Sequence, residues 1–385
     1  MGKGRFLLLP GSLAARRAAH EGRKAIREAE LSDTIRYGII GSGMMGIEHI
    51  MNINIIPGAR VTAIADPHQG SRDWGRATAE GEIAVHDDYR DMLASGAVDA
   101  VIVATPNYTH AAVLDDIFET SLHVLCEKPL CTTIEDARKA AARAKTHKGV
   151  FWVGMEYRYM PPVTRFVEEV HGGRTGRLKM FAIREHRFPF LKKIGDWNRF
   201  SRNTGGTLVE KSCHYFDMMR HVVQSEPVRI YASGGQDVNH LDERYDGAVP
   251  DILDNAFVIV DFANGVRAMH DLCMFAEGSR NQEEMSAVGD SGKIECLIPE
   301  SNLVFGTRQP KKVEVEHVAV RDDVLKAGYH HGASYYQHLA FQRAIRENGP
   351  AQVTADDGLR AVAMGLAAHR SIDEGRPVSM SEFGL

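Results

Sequence analysis

The sequence predicts an α/β protein with two parts, an N-terminal doubly wound Rossmann domain and a C-terminal α+β domain with a largely antiparallel sheet. Three observations support this fold class. A glycine-rich turn joins a first apolar strand to a helix near residue 40, strands and helices alternate to about residue 155, and runs with period-two alternation follow. Alternating strands and helices are typical of parallel sheets, whereas period-two alternation indicates antiparallel sheets with one buried face.

The composition is that of a globular protein. The chain has 385 residues, of which 44% are hydrophobic and 25% are charged, with a net charge of -5. This length suffices for two domains, and no apolar run approaches the ~20 residues of a membrane span. The acidic balance argues against nucleic acid as a partner. Five cysteines without metal-binding spacing are expected to be reduced thiols, which favours a cytoplasmic location.

The domain boundaries follow from these patterns. Residues 1–34 form a basic N-terminal extension with a predicted helix at about 13–31, residues 35–155 form the Rossmann domain, and residues 156–385 form the second domain. The apolar run at residues 7–9 is too short for an ordinary signal peptide. Either a helical extension or an over-extended start of the chain would account for the first 34 residues.

The stretch YGIIGSGMMGIEHI, residues 37–50, predicts a dinucleotide cradle. Gly41 permits the tight turn, Gly43 lets a pyrophosphate approach the backbone, and Gly46 lets the helix pack closely on the strand. Asp66 ends the next predicted strand, 20 positions after Gly46, where a carboxylate accepts hydrogen bonds from a ribose diol. The carboxylate would repel a 2′-phosphate, which favours NAD, although the nearby Arg72 leaves NADP open. The residues assigned to the cofactor here are Gly41, Ser42, Gly43, Met44, Met45, Gly46 and Asp66.

Two further loops are expected at the same cleft, because ligands of doubly wound sheets bind at the carboxyl ends of the strands. One loop follows the strand predicted at residues 98–104, and the other follows the strand predicted at 123–126. Their cofactor-binding candidates are Thr105, Pro106, Asn107, His110, Glu127 and Lys128.

A candidate acid/base array lies on a helix predicted at residues 207–221, after the break at Gly205 and Gly206. Glu210, His214 and Asp217 stand at positions i, i+4 and i+7, on one face of such a helix. The alternative is a capped helix whose histidine is satisfied in the core.

The ordered set of motifs resembles the glucose-fructose oxidoreductase/inositol dehydrogenase (Gfo/Idh/MocA) family from about residue 35 to the C-terminus. The set comprises the glycine fingerprint, Glu127-Lys128-Pro129 and the G-G-x-x-x-E-x-x-x-H pattern that ends at His214. The resemblance implies an NAD-dependent oxidoreductase of a sugar, polyol or sugar derivative, assembled as a dimer or tetramer. It also implies that the helix at about residues 355–374 packs back on the Rossmann domain.

The same resemblance implies three catalytic residues. Lys128 would hydrogen-bond the reacting hydroxyl beside the nicotinamide, and His214 would be the general base. Glu210 stands where the family more often has aspartate, so it either orients His214 or contacts a sugar hydroxyl. Lys211 would share the work of Lys128 or point to solvent.

A basic, aromatic segment precedes this helix, with Lys192, Lys193, Trp197 and Arg199 within it. It is a solvated loop, a nucleic-acid contact that the overall acidity disfavours, or a lid that stacks on a sugar and binds an anionic group. The complete set of predicted substrate-binding residues is Lys128, Arg158, Lys192, Trp197, Arg199, Lys211, His214, Tyr329 and His330.

No metal is expected, because the adjacent His330 and His331 are not spaced as ligands on a helix and no carboxylate completes a site in sequence. A second function stays open, an NAD-dependent redox-neutral glycosidase that works by oxidation and elimination on an anionic glycoside such as a sulfonated hexose. A nucleotide-sensing regulator ranks below both, because Lys128 and His214 are present.

Overall fold

The computed structural model describes residues 34–385. The helix predicted at residues 13–31 lies outside the described residues. Within the described part, two sheets organise the chain, one of six strands and one of nine.

The first sheet is the predicted doubly wound one. All of its pairings are parallel, and the strand order is β3-β2-β1-β4-β5-β6. The order reverses between β1 and β4, which creates the crevice where such sheets bind ligands. Its strands are β1 (Ile35–Ile40), β2 (Ala59–Ala65), β3 (Ala84–His86), β4 (Ala100–Val103), β5 (His123–Glu127) and β6 (Phe151–Gly154). The helices between them are α1 (Met44–Asn54), α2 (Gln69–Thr78), α3 (Tyr89–Ala94), α4 (His110–Ile117) and α5 (Ile134–Ala144).

The second sheet is antiparallel except where β7 and β10 run parallel, as predicted for a largely antiparallel sheet. Along β9 every second residue is buried, which is the period-two pattern of a sheet with one covered face. The period-two runs that predicted this sheet lie between residues 178 and 298, so β13, β14 and β15 were not predicted. The nine strands are β7 (Leu178–His186), β8 (Pro227–Gly235), β9 (Asn255–Phe262), β10 (Arg267–Cys273), β11 (Glu283–Gly289), β12 (Gly292–Ile298), β13 (Asn302–Thr307), β14 (Lys312–His317) and β15 (Val378–Ser379).

The helix predicted at residues 207–221 is two helices in the structure. It divides at Lys211 and Ser212, so Glu210 ends the first helix whereas His214 lies in the second. The helices of this half are α6 (Pro161–His171), α7 (Ser201–Thr204), α8 (Thr207–Glu210), α9 (Cys213–Val223), α10 (Asp322–Lys326), α11 (Ala333–Glu347) and α12 (Ala355–Glu374). Short 3-10 turns span Asn107–Thr109, Glu156–Tyr159, Ile194–Arg199 and Met380–Phe383.

Helix α12 links the two sheets. It begins with a capping box between Thr354 and Asp357, and it ends at Gly375 with φ +63°. One flank contacts α5 of the first sheet, and another contacts β8 and α9. All five cysteines are free thiols. Among the described residues, none of the helices combines the length and the apolarity that a membrane crossing requires.

Candidate active site

The glycine-rich turn between β1 and α1 has the shape that a pyrophosphate requires. Gly41 has φ +90°, and a Cβ there would lie 2.7 Å from the Ala104 carbonyl oxygen. A Cβ at Gly46 would lie 2.0 Å from the Gly41 carbonyl oxygen, so only glycine lets α1 start this close to the strand. A Cβ at Gly43 would meet no heavy atom within 4 Å, which leaves open space over the backbone. In the described chain no side chain caps α1 at Gly43, so its first N–H groups are available to an anion.

Asp66 is tied to this turn. Its Oδ2 accepts a hydrogen bond from Ser42 N at 2.9 Å, and its Oδ1 accepts one from His68 N at 2.8 Å. Arg72 donates to the carbonyl oxygens of Asp66 and Pro67 at 2.7 and 2.9 Å, and is therefore engaged by the backbone. Since a carboxylate faces the ribose position and the nearby guanidinium is held by carbonyls, the residues present fit NAD better than NADP.

The other assigned residues of the turn surround the same opening. Ser42 is buried and donates from Oγ to the Ser71 carbonyl oxygen at 2.9 Å. Met44 is 38% exposed, and Met45 is half-buried at the start of α1.

The loop after β4 places Asn107 towards the cleft but not His110. The Asn107 side chain is buried, and its Nδ2 has no hydrogen-bond partner in the described part of the chain. Thr105 and Pro106 are half-buried beside it. His110 is fully buried between the carbonyl oxygens of Pro129, at 2.9 Å, and Thr105, at 3.1 Å. The prediction that His110 binds the cofactor is therefore corrected, because its ring holds the two loops together.

The prediction that Glu127 binds the cofactor is also corrected, because its buried carboxylate bonds His49 and the backbone of Lys128. Its Oε1 lies 3.0 Å from His49 Nε2, and its Oε2 accepts from Lys128 N at 3.2 Å. Burial would raise the pKa of Glu127, but the hydrogen bond and charge of His49 outweigh it and lower that pKa. A Cβ at Gly154 would lie 2.8 Å from Glu127 Oε1, so the neighbouring strand carries glycine where this carboxylate needs room.

Lys128, Glu210 and His214 come together at the carboxyl end of β5. The Lys128 ammonium donates to the Glu210 carbonyl oxygen at 3.1 Å. Both Glu210 and His214 are buried, and Glu210 Oε2 and His214 Nδ1 each lack a hydrogen-bond partner among the residues that the structure describes. The break at Lys211 places the two residues in separate helices. Of the two roles predicted for Glu210, the orientation of His214 therefore has no direct hydrogen bond to support it.

The electrostatics of this cluster suit acid/base chemistry. Burial raises the pKa of Glu210 to about 7, against the charges of Lys128 and Lys193. Burial and the charges of Lys128 and Lys211 lower the pKa of His214 well below its usual value. His214 is consequently neutral at pH 7, which is the state that a general base requires.

Lys211 neither assists Lys128 nor points to solvent. Its ammonium donates to the Tyr157 hydroxyl at 2.9 Å and lies 2.9 Å from Glu185 Oε1. Burial lowers the pKa of Lys211 to about 8. The expectation that Lys211 contacts substrate is corrected, because its donors are directed into a buried polar cluster.

The basic segment before α8 crosses the cofactor cleft. Lys193 lies 3.8 Å from Met44 Sδ in the glycine turn, and Trp197 packs edge-on against Tyr108 with ring centroids 6.2 Å apart. Trp197 lines a surface groove of about 640 Å³ that includes none of Lys128, Glu210 and His214. Lys192 is exposed.

Arg199 in this segment is structural. Its side chain is 2% exposed, and its Nε donates to Glu243 Oε2 at 2.8 Å. The prediction that Arg199 reaches an anionic substituent of the substrate is corrected, because Glu243 already neutralises it.

His330 belongs to a buried ionic cluster beside the site. Its Nδ1 lies 2.9 Å from Glu48 Oε1 and 3.6 Å from Glu156 Oε1, and Ser334 bridges the two carboxylates. Burial would lower the pKa of His330, but Glu156 and Glu48 raise it to about 9, so the imidazole is cationic at pH 7. The neighbouring Tyr329 is 81% exposed.

The reason given from sequence for expecting no metal was wrong, because the fold brings two carboxylates to His330. Ligand atoms of Glu48, Glu156 and His330 lie within 4.8 Å of one another. In the structure these atoms form the ion pairs and hydrogen bonds just described.

Arg158 is not a substrate ligand in this geometry. Its Nε donates to Asp217 Oδ2 at 2.6 Å, its Nη2 pairs with Asp217 Oδ1, and its Nη1 donates to the Gln352 carbonyl oxygen at 3.1 Å. Asp217 is fully buried, so it balances Arg158 and does not extend the Glu210–His214 array. The sequence assignment of Arg158 to the substrate pocket is corrected for that reason.

Tyr157 is a site residue that the sequence reasoning missed. Its ring is parallel to the His214 imidazole, with an interplanar angle of 6° and centroids 4.0 Å apart. Tyr157 lies in the 3-10 turn that follows β6, so the rule that sites gather at the carboxyl ends of parallel strands was the available signal.

Comparison with known families agrees with this architecture. Residues 35–155 match a family model described as the oxidoreductase family, NAD-binding Rossmann fold, and residues 167–380 match its C-terminal alpha/beta domain. The chain belongs to the Gfo/Idh/MocA oxidoreductase family. It is an oxidoreductase, and its cofactor is NAD.

Curated relatives cover most of the chain. The protein is 29% identical to the uncharacterized oxidoreductase YrbE of Bacillus subtilis, over 89% of this chain and 96% of that one. It is 31% identical to inositol 2-dehydrogenase 2 of Saccharopolyspora erythraea, over 69% of this chain and 74% of the relative. It is 27% identical to myo-inositol 2-dehydrogenase of Thermotoga maritima, over 90% of this chain and 99% of that one.

A solved structure shows the same fold. Levoglucosan dehydrogenase in complex with NADH superposes with a TM-score of 0.80 at 21% identity, over 90% of this chain and 99% of that one.

Proposed function

We propose that this oxidoreductase is a dehydrogenase that oxidises a secondary hydroxyl of a cyclic polyol or sugar with NAD. The observation that carries the proposal is the cluster of Lys128, Glu210 and His214 at the carboxyl end of β5, next to the nucleotide cradle. The inositol dehydrogenases among the relatives support a polyol as the substrate class.

Each residue of the cluster has a part that its surroundings suit. When bound, NAD supplies a two-electron acceptor for the hydrogen on the carbinol carbon. The neutral imidazole of His214 takes the hydroxyl proton, and the Lys128 ammonium stabilises the negative charge that develops on the substrate oxygen. Glu210, with a pKa of about 7 and an unpartnered Oε2, accepts a hydrogen bond from a neighbouring hydroxyl or holds a proton there.

The redox-neutral glycosidase is not proposed. Its argument from sequence was a basic lid that holds an anionic sugar, and the pairing of Arg199 with Glu243 removes one of the three cations of that lid.

A substrate panel tests the proposal. Myo-inositol, scyllo-inositol, aldohexoses, an anhydrohexose and aryl glycosides are incubated with protein and NAD, and NADH absorbance and aglycone release are followed together. We expect one NADH per substrate oxidised with at least one polyol or sugar. Release of aglycone without NADH accumulation would contradict the dehydrogenase.

Cofactor choice is expected to depend on Asp66. The parent protein should bind NAD at least about tenfold more tightly than NADP, because an unpaired carboxylate facing a 2′-phosphate costs more than ~1.4 kcal/mol. Asp66→Ala should narrow that ratio, whereas Asp73→Ala on the exposed side of α2 should not. Fluorescence titration with both nucleotides measures the effect, and equal affinities in the parent protein would refute the assignment.

Lys193 is expected to contribute to cofactor binding, because it reaches the glycine turn from the overlying segment. Lys193→Met should weaken the binding of NAD and the binding of ADP-ribose to the same degree, about tenfold. The reason is that a charge-assisted bond to a phosphate contributes ~1.5 to 3 kcal/mol. The exposed neighbour gives the control, Lys192→Met, which should leave both affinities unchanged. If Lys193→Met instead raises only the substrate KM, the segment contacts substrate and not cofactor.

A further inference from the structure

His214 lacks the restraint that usually orients a catalytic imidazole. One ring nitrogen ordinarily bonds a carboxylate or carbonyl, which sets the tautomer and the plane of the ring. Here Nδ1 is buried without a hydrogen-bond partner among residues 34–385, and Glu210, for which orientation of this ring was one of two predicted roles, has an unpartnered Oε2 of its own. Another contact must therefore hold the ring in the plane that proton transfer requires.

That contact is the face of Tyr157. The two rings are stacked with centroids 4.0 Å apart and planes 6° from parallel. Tyr157 is 1% exposed in the turn after β6, so its ring has no room to rotate. A parallel face leaves the imidazole free to slide in its plane but prevents it from tilting out of it.

Tyr157 is in turn held by Lys211. The Lys211 ammonium donates to the Tyr157 hydroxyl at 2.9 Å and is anchored 2.9 Å from Glu185 Oε1 on β7. Lys211 occupies the break between α8 and α9, which turns its side chain inward. The interruption of the helix thus supplies the residue that fixes the stack.

Charges from several elements face His214. The nearby cations are Lys128, Arg187, Lys211 and His330, and the other titratable groups around the cluster are Glu185, Glu210, Tyr157, Tyr215 and Glu283. Burial lowers the pKa of His214 most, and the cations lower it further, since each one opposes protonation of the imidazole.

We propose that Tyr157 and Lys211 are positioning residues for His214, with Tyr157 fixing the plane of the imidazole and Lys211 fixing Tyr157. The inference rests on the proposed role of His214 as general base. It assigns to Lys211 an effect that acts through Tyr157 and through charge, without contact to the substrate.

Paired substitutions of Tyr157 test the stack. With the best polyol or sugar of the panel, Tyr157→Leu should lower kcat about 30- to 100-fold, because misplacement of a reacting group by ~1 Å costs about 10²-fold. Tyr157→Phe keeps the ring and should stay within about tenfold of the parent. NAD affinity and the thermal midpoint should be similar in the two variants, so that a loss of kcat cannot be ascribed to unfolding.

Lys211→Met tests the charge. Removing a facing cation raises the pKa of His214, so more imidazole is protonated at a given acidic pH. The acid limb of kcat/KM should therefore move to higher pH, with a larger loss at pH 6 than at pH 8. Tyr157→Phe keeps the charge of Lys211, so it should not shift the acid limb of kcat/KM in this way.

The outcomes separate this inference from the proposed function. If His214→Ala retains the parental rate, the proposed role of His214 fails. If His214→Ala is inactive but Tyr157→Leu and Tyr157→Phe have equal kcat, the positioning role of Tyr157 fails. If His214→Ala is inactive but Lys211→Met leaves the pH profile unchanged, the effect assigned to the charge of Lys211 fails.

Discussion

Lys128→Met and His214→Ala should each reduce the rate of NADH formation by about 10²-fold or more, with NAD affinity and thermal stability little changed. A positioned acid or base contributes about 10²- to 10⁴-fold to a rate, and each variant removes one such group at the reacting oxygen. The Lys128 ammonium bonds only the Glu210 carbonyl oxygen among the described residues, so its loss leaves no buried carboxylate without its ion-pair partner.

An exposed lysine supplies the control. Lys139→Met removes a similar side chain from a surface pair with Asp115, and it should keep the parental rate. Single-turnover measurements with saturating NAD separate chemistry from cofactor binding. Near-parental rates for both Lys128→Met and His214→Ala would show that the acid/base assignment is wrong.

Arg158→Met should destabilise the protein by about 3–5 kcal/mol, measured by chemical denaturation at pH 7. The variant leaves the fully buried Asp217 without the guanidinium that binds both of its oxygens, and removal of one partner of a buried pair costs about that much. Arg165→Met is the matched control, because Arg165 is 38% exposed in its pairs with Glu169 and Glu316. This substitution should destabilise the protein by less than about 1 kcal/mol.

The loss of folding stability in Arg158→Met should depend on pH. Burial already raises the pKa of Asp217 in the parent, against the opposing charge of Arg158. Without Arg158 the pKa of Asp217 in the folded state rises further above its value in the unfolded state. Folding then takes up a proton, so the loss of stability grows as the pH rises. We expect a smaller loss at pH 5 than at pH 8, and a partial recovery when Asp217→Asn is added. A variant of parental stability with a raised substrate KM would instead support the assignment of Arg158 to the substrate pocket.

The nucleotide cradle could be predicted from the sequence because its geometry depends on near neighbours in the chain. The conformations of Gly41, Gly43 and Gly46 follow from a strand, a turn and a helix within 12 residues, from Ile35 to Gly46. The approach of Lys128 to the helix that carries Glu210 was predictable from the family resemblance, because both belong to one ordered set of motifs.

Several charged groups that the sequence assigned to the substrate have partners far away in sequence. Arg199 pairs with a carboxylate 44 positions away, Arg158 with one 59 positions away, and His330 with one 282 positions away. A motif indicates that a cation lies near a cleft, but it does not show which carboxylate neutralises it.

The sequence by itself determined the two-part α/β fold class, the nucleotide cradle and the identity of the acid/base candidates, since apolar periodicity and glycine requirements are local properties of the chain. Only the tertiary structure decided which polar groups are paired and which are free to react. The burial of a charge is acceptable only with a partner, and that partner comes from whichever element the fold brings beside it. The stack of Tyr157 on His214 and the unpartnered Oε2 of Glu210 are therefore consequences of how the two sheets pack, because the residues around them come from the turn after β6 and from β7, α8 and α9.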